Sequence, residues 1–156
     1  MLNAKYPSRF TRNIEDCMGE IQTAMHLENT IDRGAFKEKY IEEHKIRSVE
    51  IEGIADTGAR TLALPEDVIE RLGISERREV KVHYADDRSE MRPIVGPITI
   101  TIAERSTYVD AIVLPAGSEA LIGQIVLERL DLVADCAEET LVPSPDSPHY
   151  PELSLR

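Results

Sequence analysis

Apolar and polar side chains alternate through the middle of the chain, and a period of two residues is typical of half-buried β-strands. The clearest stretch places Ile98, Ile100 and Ile102 on one face and Thr99 and Thr101 on the other. The same alternation, or a short apolar run, predicts further strands at residues 20–27, 48–55, 80–84, 108–114, 130–134 and 140–142. We therefore expect a mainly β fold.

Helix signals are fewer and short. Pro65 precedes two acidic residues, and Gly73 follows an apolar stretch with helical spacing. Proline at the first helical position, acids in the first turn and glycine past the end are typical of a helix. A second helix is predicted at residues 124–130, and the charged residues 30–45 are expected to form a surface helix between the first two strands.

The two ends of the chain differ from its middle. Residues 1–17 show no clear periodicity and carry three basic and two acidic side chains, so we expect a poorly ordered N-terminal extension. Residues 143–156 contain four prolines, and proline at that density prevents a regular ladder or helix, which indicates a C-terminal tail. A single domain is expected at residues 18–142, since a chain of 156 residues can bury one sizeable core.

The charge of the chain excludes some classes of partner. The chain has 29 acidic and 18 basic side chains, a net charge of −11, so phosphate backbones and anionic lipids should repel it. We expect no nucleic-acid or membrane partner, and no apolar run approaches the roughly 20 residues of a membrane helix.

Cys17 and Cys136 lie far apart without framework spacing, which we interpret as isolated thiols of a reducing compartment and hence a cytoplasmic protein.

One short motif contains residues suited to acid–base catalysis. An apolar strand ends at Ile54 and Ala55 and runs directly into Asp56, Thr57 and Gly58. Two carboxylates held close together cannot both ionise, so they share one proton, and one acts as general base and the other as general acid on a water molecule. The glycine would let backbone N–H groups approach the carboxylate, and the threonine hydroxyl could hold the loop. The alternative is an ordinary turn, because all three residue types are common in turns.

The surrounding sequence resembles the retropepsin-like aspartic proteases, in particular their small prokaryotic members. Residues 54–73 are similar to the active-site loop of this family and the segment that follows it. Residues 120–132 resemble a second element, two hydrophobic residues and a glycine, that in the family crosses beneath the catalytic loop and enters a short helix. Weaker likeness extends from about Met18 to Pro145.

The resemblance implies a closed β-barrel-like fold and a homodimer in which each chain supplies one Asp-Thr-Gly loop. Asp56 would be catalytic, Thr57 would interlock with its counterpart across the two-fold axis, and Gly58 would support the loop. A hairpin between Val80 and Ile94 would cover the substrate. The substrate-binding candidates lie next to the loop, at the hairpin tip and in the glycine element: Ala59, Arg60, Asp86, Asp87, Ile122 and Gly123. The implied activity is cleavage of a peptide or protein substrate, and it requires neither metal nor organic cofactor.

Two departures from the family leave other functions open. Arg60 stands where many relatives carry an acidic or hydroxyl residue, and the expected hairpin tip at residues 85–89 contains no glycine. One alternative is therefore a catalytically silent peptide-binding or adaptor module with the same fold. Another is an assembly partner whose interface is the first strand and the proline-rich tail.

Overall fold

The computed structural model describes residues 9–155, and most of their regular structure is β-strand. None of the helices within this part of the chain is long and apolar enough to cross a membrane. Two short 3₁₀ helices lie at Ile14–Asp16 and Glu43–Lys45. In chain order, the other elements are β1 (Phe10–Thr11), β2 (Gln22–Asn29), α1 (Thr30–Lys37), β3 (Ser48–Ala55), β4 (Leu62–Pro65), α2 (Glu66–Leu72), β5 (Arg77–His83), β6 (Ser89–Ile102), β7 (Arg105–Leu114), β8 (Ala120–Ile122), α3 (Gln124–Leu130), β9 (Leu132–Asp135) and β10 (Thr140–Pro143).

The strands form two sheets. The larger has the order β2-β3-β8-β4-β7-β6-β5, and β2 also pairs with β6. The smaller has the order β1-β9-β10. Two pairings in the larger sheet are parallel, β3 with β8 and β4 with β7, and they bring together segments about 50 to 70 residues apart in sequence. The prediction of a mainly β fold is confirmed.

The apolar faces predicted from the alternation form the core. Ile98, Ile100 and Ile102 are at most 1% exposed, and on β2 Met25 and Leu27 are at most 2% exposed. Their polar neighbours face outward, so one face of each strand is buried, as a period of two residues requires. The site described below therefore lies on a scaffold whose register is fixed by burial.

The helices follow the sequence signals, with two differences. Gly73 takes a left-handed φ of 66° and ends α2, whereas Pro65 is the N-cap and the last residue of β4 rather than the first helical residue. The surface helix expected at residues 30–45 ends at Lys37, because Lys39 adopts a left-handed φ of 66° that a helix cannot continue through. The bounds predicted for α3 are confirmed.

The interpretation of the cysteines as isolated thiols is wrong. Cys17 and Cys136 form a disulfide, with their Cα atoms 5.0 Å apart. They are separated by 119 positions in sequence, so folding alone brings them together. The sequence argument for a reducing, cytoplasmic environment therefore loses its basis, because it depended on free thiols.

Both terminal segments contact the domain where they are described. Residues 1–8 of the predicted extension, and residue 156, lie outside the described residues. Phe10 and Thr11 pair with β9, although the extension was expected to be poorly ordered. In the predicted tail, Ser144 and Ser147 are buried, and the hydroxyl of Ser147 donates to Asp131. The domain boundaries at residues 18 and 142 stay a prediction.

Candidate active site

The candidate site is the loop of residues 56–61 that joins β3 to β4, here called the Asp56 loop. Its first residue is fixed by the parallel pairing of β3 with β8, in which Ala55 lies opposite Ile122. One residue later, the Asp56 N–H donates to the carbonyl oxygen of Ile122 at 3.0 Å. The carboxylate is therefore held at the end of a strand within the sheet, on a rigid support rather than on a free loop.

The loop turns back on its own carboxylate. The Gly58 N–H donates to Oδ1 of Asp56 at 2.8 Å, and the Ala59 N–H donates to the Asp56 carbonyl oxygen at 3.1 Å. Within residues 9–155, the other carboxylate oxygen, Oδ2, accepts no hydrogen bond. Asp56 is half-buried. One oxygen thus orients the group, and the other can accept a proton from water or share a proton with a second carboxylate.

The start of α3 supports the loop from the core side. The Gln124 N–H donates to the carbonyl oxygen of Ala59, and the Ile125 N–H donates to that of Arg60, both at 2.9 Å. Immediately before them, Gly123 lies so close to Thr61 that a Cβ atom on the glycine would be 2.2 Å from the threonine carbonyl oxygen. Only glycine fits between these two backbones.

This geometry fixes the positions of two predicted substrate contacts. Ile122 is completely covered by the core, and Gly123 is buried against Thr61. Both residues adjoin the Asp56 loop, as the sequence predicts, but neither presents a surface to a ligand in this chain. Their contacts are those of loop support.

The Thr57 side chain has a partner that the sequence did not indicate. Its hydroxyl donates to Oε1 of Glu15 at 2.5 Å, and this hydrogen bond lowers the pKa of the Glu15 carboxyl. Glu15 lies in the 3₁₀ helix Ile14–Asp16, 42 positions before the threonine. No local pattern could have revealed the contact, since it depends on how the N-terminal segment returns to the domain.

The remaining predicted loop residues differ in exposure. Ala59 is half-buried, whereas Arg60 is exposed and, in the described part of the chain, forms no ion pair. Next to them, the Thr61 hydroxyl donates to the Asp110 carbonyl oxygen at 2.9 Å and ties the loop to β7. Arg60 therefore contributes an unneutralised positive charge at the loop surface.

The expected hairpin is confirmed as β5 and β6, which pair from Arg77 opposite Val95 to His83 opposite Ser89. Its tip turns without glycine because Asp87 takes a left-handed φ of 67°, a conformation that Asp tolerates better than most residues. Asp86 accepts hydrogen bonds from the Arg88 N–H and guanidinium. Among residues 9–155, no hydrogen bond joins Asp86 or Asp87 to the Asp56 loop.

A surface pocket between β3, α2 and β8 is a separate feature. Its lining includes Glu52, Ile54, Val68 and Glu119 and contains none of the predicted site residues. The candidate site is thus the partly exposed Asp56 loop rather than this pocket.

Comparison with known protein families adds an independent finding. The family model described as "gag-polyprotein putative aspartyl protease" matches residues 42–129, more than half of the chain. The matched segment contains β3, the Asp56 loop, the β5–β6 hairpin and most of α3. No curated protein matches the chain.

Proposed function

Because the chain belongs to this family of retropepsin-like aspartyl proteases, we propose that it is an aspartic endopeptidase that acts as a homodimer. Each chain supplies Asp56, and the two carboxylates share one proton and activate a water molecule for attack on the scissile carbonyl. The protonated partner then protonates the leaving amine.

The observation that carries this proposal is the arrangement of the Asp56 carboxylate. A backbone N–H fixes Oδ1 at 2.8 Å, while Oδ2 accepts no hydrogen bond within residues 9–155. An aspartate that served only to hold a turn would need no support beyond the turn itself. Here the parallel β3–β8 pairing and the first two N–H groups of α3 also position the loop. Such support is what a preorganised catalytic group needs.

A second chain is essential to the mechanism. The sequence contains one Asp-Thr-Gly motif, so a monomer holds half of the dyad. The pairing of β2 with both β3 and β6 supports the closed, barrel-like arrangement that the family resemblance implies. A rigid barrel would allow two Asp56 loops to meet without rearrangement of the sheet.

The other loop and hairpin residues have distinct proposed roles. Ala59 and the exposed Arg60 flank the dyad and contact the substrate backbone and side chains. Asp86 and Asp87 approach the substrate from the hairpin tip. Ile122 and Gly123 act behind the loop, where their burial supports a positioning role.

Cleavage of a peptide library by the native chain and by Asp56→Asn tests the proposal. We expect the amide variant to fold normally but lose cleavage by at least about 10³-fold, since it can neither accept nor donate the shared proton. Asp67→Asn is the matched control, because this aspartate of α2 is exposed and, within residues 9–155, its side chain accepts a hydrogen bond only from the N–H of Gly117. Equal cleavage by the native chain and Asp56→Asn would refute the proposal. Binding without cleavage by the native chain would favour the adaptor alternative.

The library should be assayed from pH 3 to pH 8. A dyad works only while it retains one proton between its two carboxyl groups, so we expect an optimum on the acidic side of neutral. A profile that rises steadily to pH 8 would contradict a shared-proton mechanism.

A further inference from the structure

The N-terminal arm, defined as residues 9–17, is firmly attached to the domain on both sides of Glu15. Before it, Phe10 and Thr11 pair with β9, and the Arg9 guanidinium donates two hydrogen bonds to Asp135 at 3.0 and 2.7 Å. The Asp135 side chain is 6% exposed, so this pair is well shielded from water on the carboxylate side.

After Glu15, the arm is attached covalently. The disulfide of Cys17 begins two residues beyond Glu15 and ends at Cys136, directly after β9. Ile14, next to Glu15, packs against the hydrophobic core. With anchors on both sides, the 3₁₀ helix of the arm has little freedom, and the Glu15 carboxylate stays at Thr57.

The hydrogen bond to Glu15 engages the hydroxyl of Thr57, the residue that directly follows the catalytic aspartate. A threonine hydroxyl has one proton to donate, and Thr57 gives it to Glu15 of its own chain. The same hydroxyl cannot simultaneously donate to a second chain. The contact also places the Glu15 carboxylate against Thr57, the residue that follows Asp56, at the surface where two Asp56 loops would come together in the proposed dimer. Two copies would thus bring the Glu15 charges as well as the aspartates into one interface, and like charges in close contact oppose association.

We propose that the N-terminal arm is an autoinhibitory latch, in which Glu15 holds Thr57 and keeps two Asp56 loops from pairing until the Glu15–Thr57 contact is broken. This inference rests on the proposed function, since it concerns the assembly of the same dyad. The latch acts on dimerisation, and activity follows from it. It can therefore be tested by the association of two chains, independently of cleavage.

The test compares the dimer dissociation constants of full-length variants by sedimentation equilibrium. All chains carry Asp56→Asn so that no cleavage can occur during the measurement. Glu15→Ala removes the acceptor and the charge. Glu20→Ala is the control, because Glu20 is also exposed, has the same charge and, in the described part of the chain, accepts a hydrogen bond only from the nearby Gln22 side chain. Glu15→Gln removes the charge but keeps an oxygen that Thr57 can bond.

We expect Glu15→Ala to lower the dimer dissociation constant at least about fivefold relative to Glu20→Ala, with Glu15→Gln between them. Circular dichroism should show the same fold in all variants, since Glu15 is exposed. An unchanged or higher dissociation constant for Glu15→Ala would overturn the latch, as would a chain that stays monomeric in every variant.

Cleavage assays on the same variants with Asp56 restored distinguish a failure of the latch from a failure of the proposed function. If cleavage depends on Asp56 but is equal in Glu15→Ala and Glu20→Ala, the peptidase proposal is supported and the latch is refuted. Tighter dimers without any cleavage would support the latch and refute the peptidase.

Discussion

Gly123→Ala tests the support of the Asp56 loop most directly. An ideal Cβ on this residue lies 2.2 Å from the carbonyl oxygen of Thr61 and 2.7 Å from both its carbonyl carbon and its nitrogen. Ordinary contacts begin near 3.4 Å, so the two backbones must separate by about 1 Å. All three atoms belong to the backbone, and no side chain can rotate away to make room.

The cost of this separation follows from the hydrogen bonds beside it. The bonds from Gln124 to Ala59 and from Ile125 to Arg60 are 2.9 Å long, and about 1 Å more would break both. Each contributes about 1 kcal/mol, and the overpacking itself costs about 1–3 kcal/mol. We therefore expect the free energy of unfolding to fall by about 3–5 kcal/mol. A displacement of 1 Å at the loop should also lower cleavage by about 100-fold.

Urea denaturation of the native chain and the variant, at one protein concentration, measures the loss of stability. Gly34→Ala is the matched control, because the added methyl group would meet no atom within 4 Å beyond its chain neighbours and the backbone of α1. There, alanine should be neutral or stabilise by up to about 1 kcal/mol, through its higher helix propensity. A loss of less than about 1 kcal/mol for Gly123→Ala would refute the argument that α3 holds the loop.

Two further predictions concern stability. Replacing both Cys17 and Cys136 by serine should lower the free energy of unfolding by about 3–5 kcal/mol, since the disulfide joins residues 119 positions apart. A urea midpoint equal to that of the native chain would contradict this prediction. Asp32→Asn should cost about 1–2 kcal/mol at pH 7, because hydrogen bonds from the Arg47 guanidinium and N–H hold this buried carboxylate and lower its pKa. A carboxyl whose pKa is lower in the folded state stabilises the fold above its unfolded pKa of about 4, and the effect disappears as the pH falls through the folded value. The difference between the native chain and Asp32→Asn should therefore shrink in acid, and an equal difference at about pH 2.5 would contradict this account.

Most of the strands that the sequence predicts have one covered face, although β9, predicted from an apolar run, is buried at all four residues. Ile98, Ile100 and Ile102 alternate with threonines because β6 has a core side and an outer side. In β4, by contrast, all four residues are buried, so no alternation exists. The identity of β4 as a strand depends on its parallel partner β7, where Leu62 lies opposite Ala111. A period of two residues cannot reveal a pairing of this kind.

Some features of the candidate site could likewise be predicted from the sequence, and others could not. The motif at Asp56 is visible in the sequence, because a tight turn onto a carboxylate favours these residue types. Gly123 was indicated by the family resemblance, and its contact with the distant Thr61 backbone explains why glycine is needed there. Burial is a property of the whole fold. Hence the sequence could predict that Ile122 lies near the loop but not that the core covers it completely.

Glu15 shows what sequence patterns omit. As part of a segment without periodicity, its carboxylate has no local signal, and its position depends on the disulfide at Cys17 and the pairing of β1 with β9. Both depend on residues more than 100 positions away. The proton of Thr57 can be given to one acceptor at a time, so in the proposed dimer the N-terminal arm and a second chain would compete for the same hydroxyl. Under the latch proposal, the strength of the anchors on the arm would decide that competition, rather than the Asp-Thr-Gly motif itself.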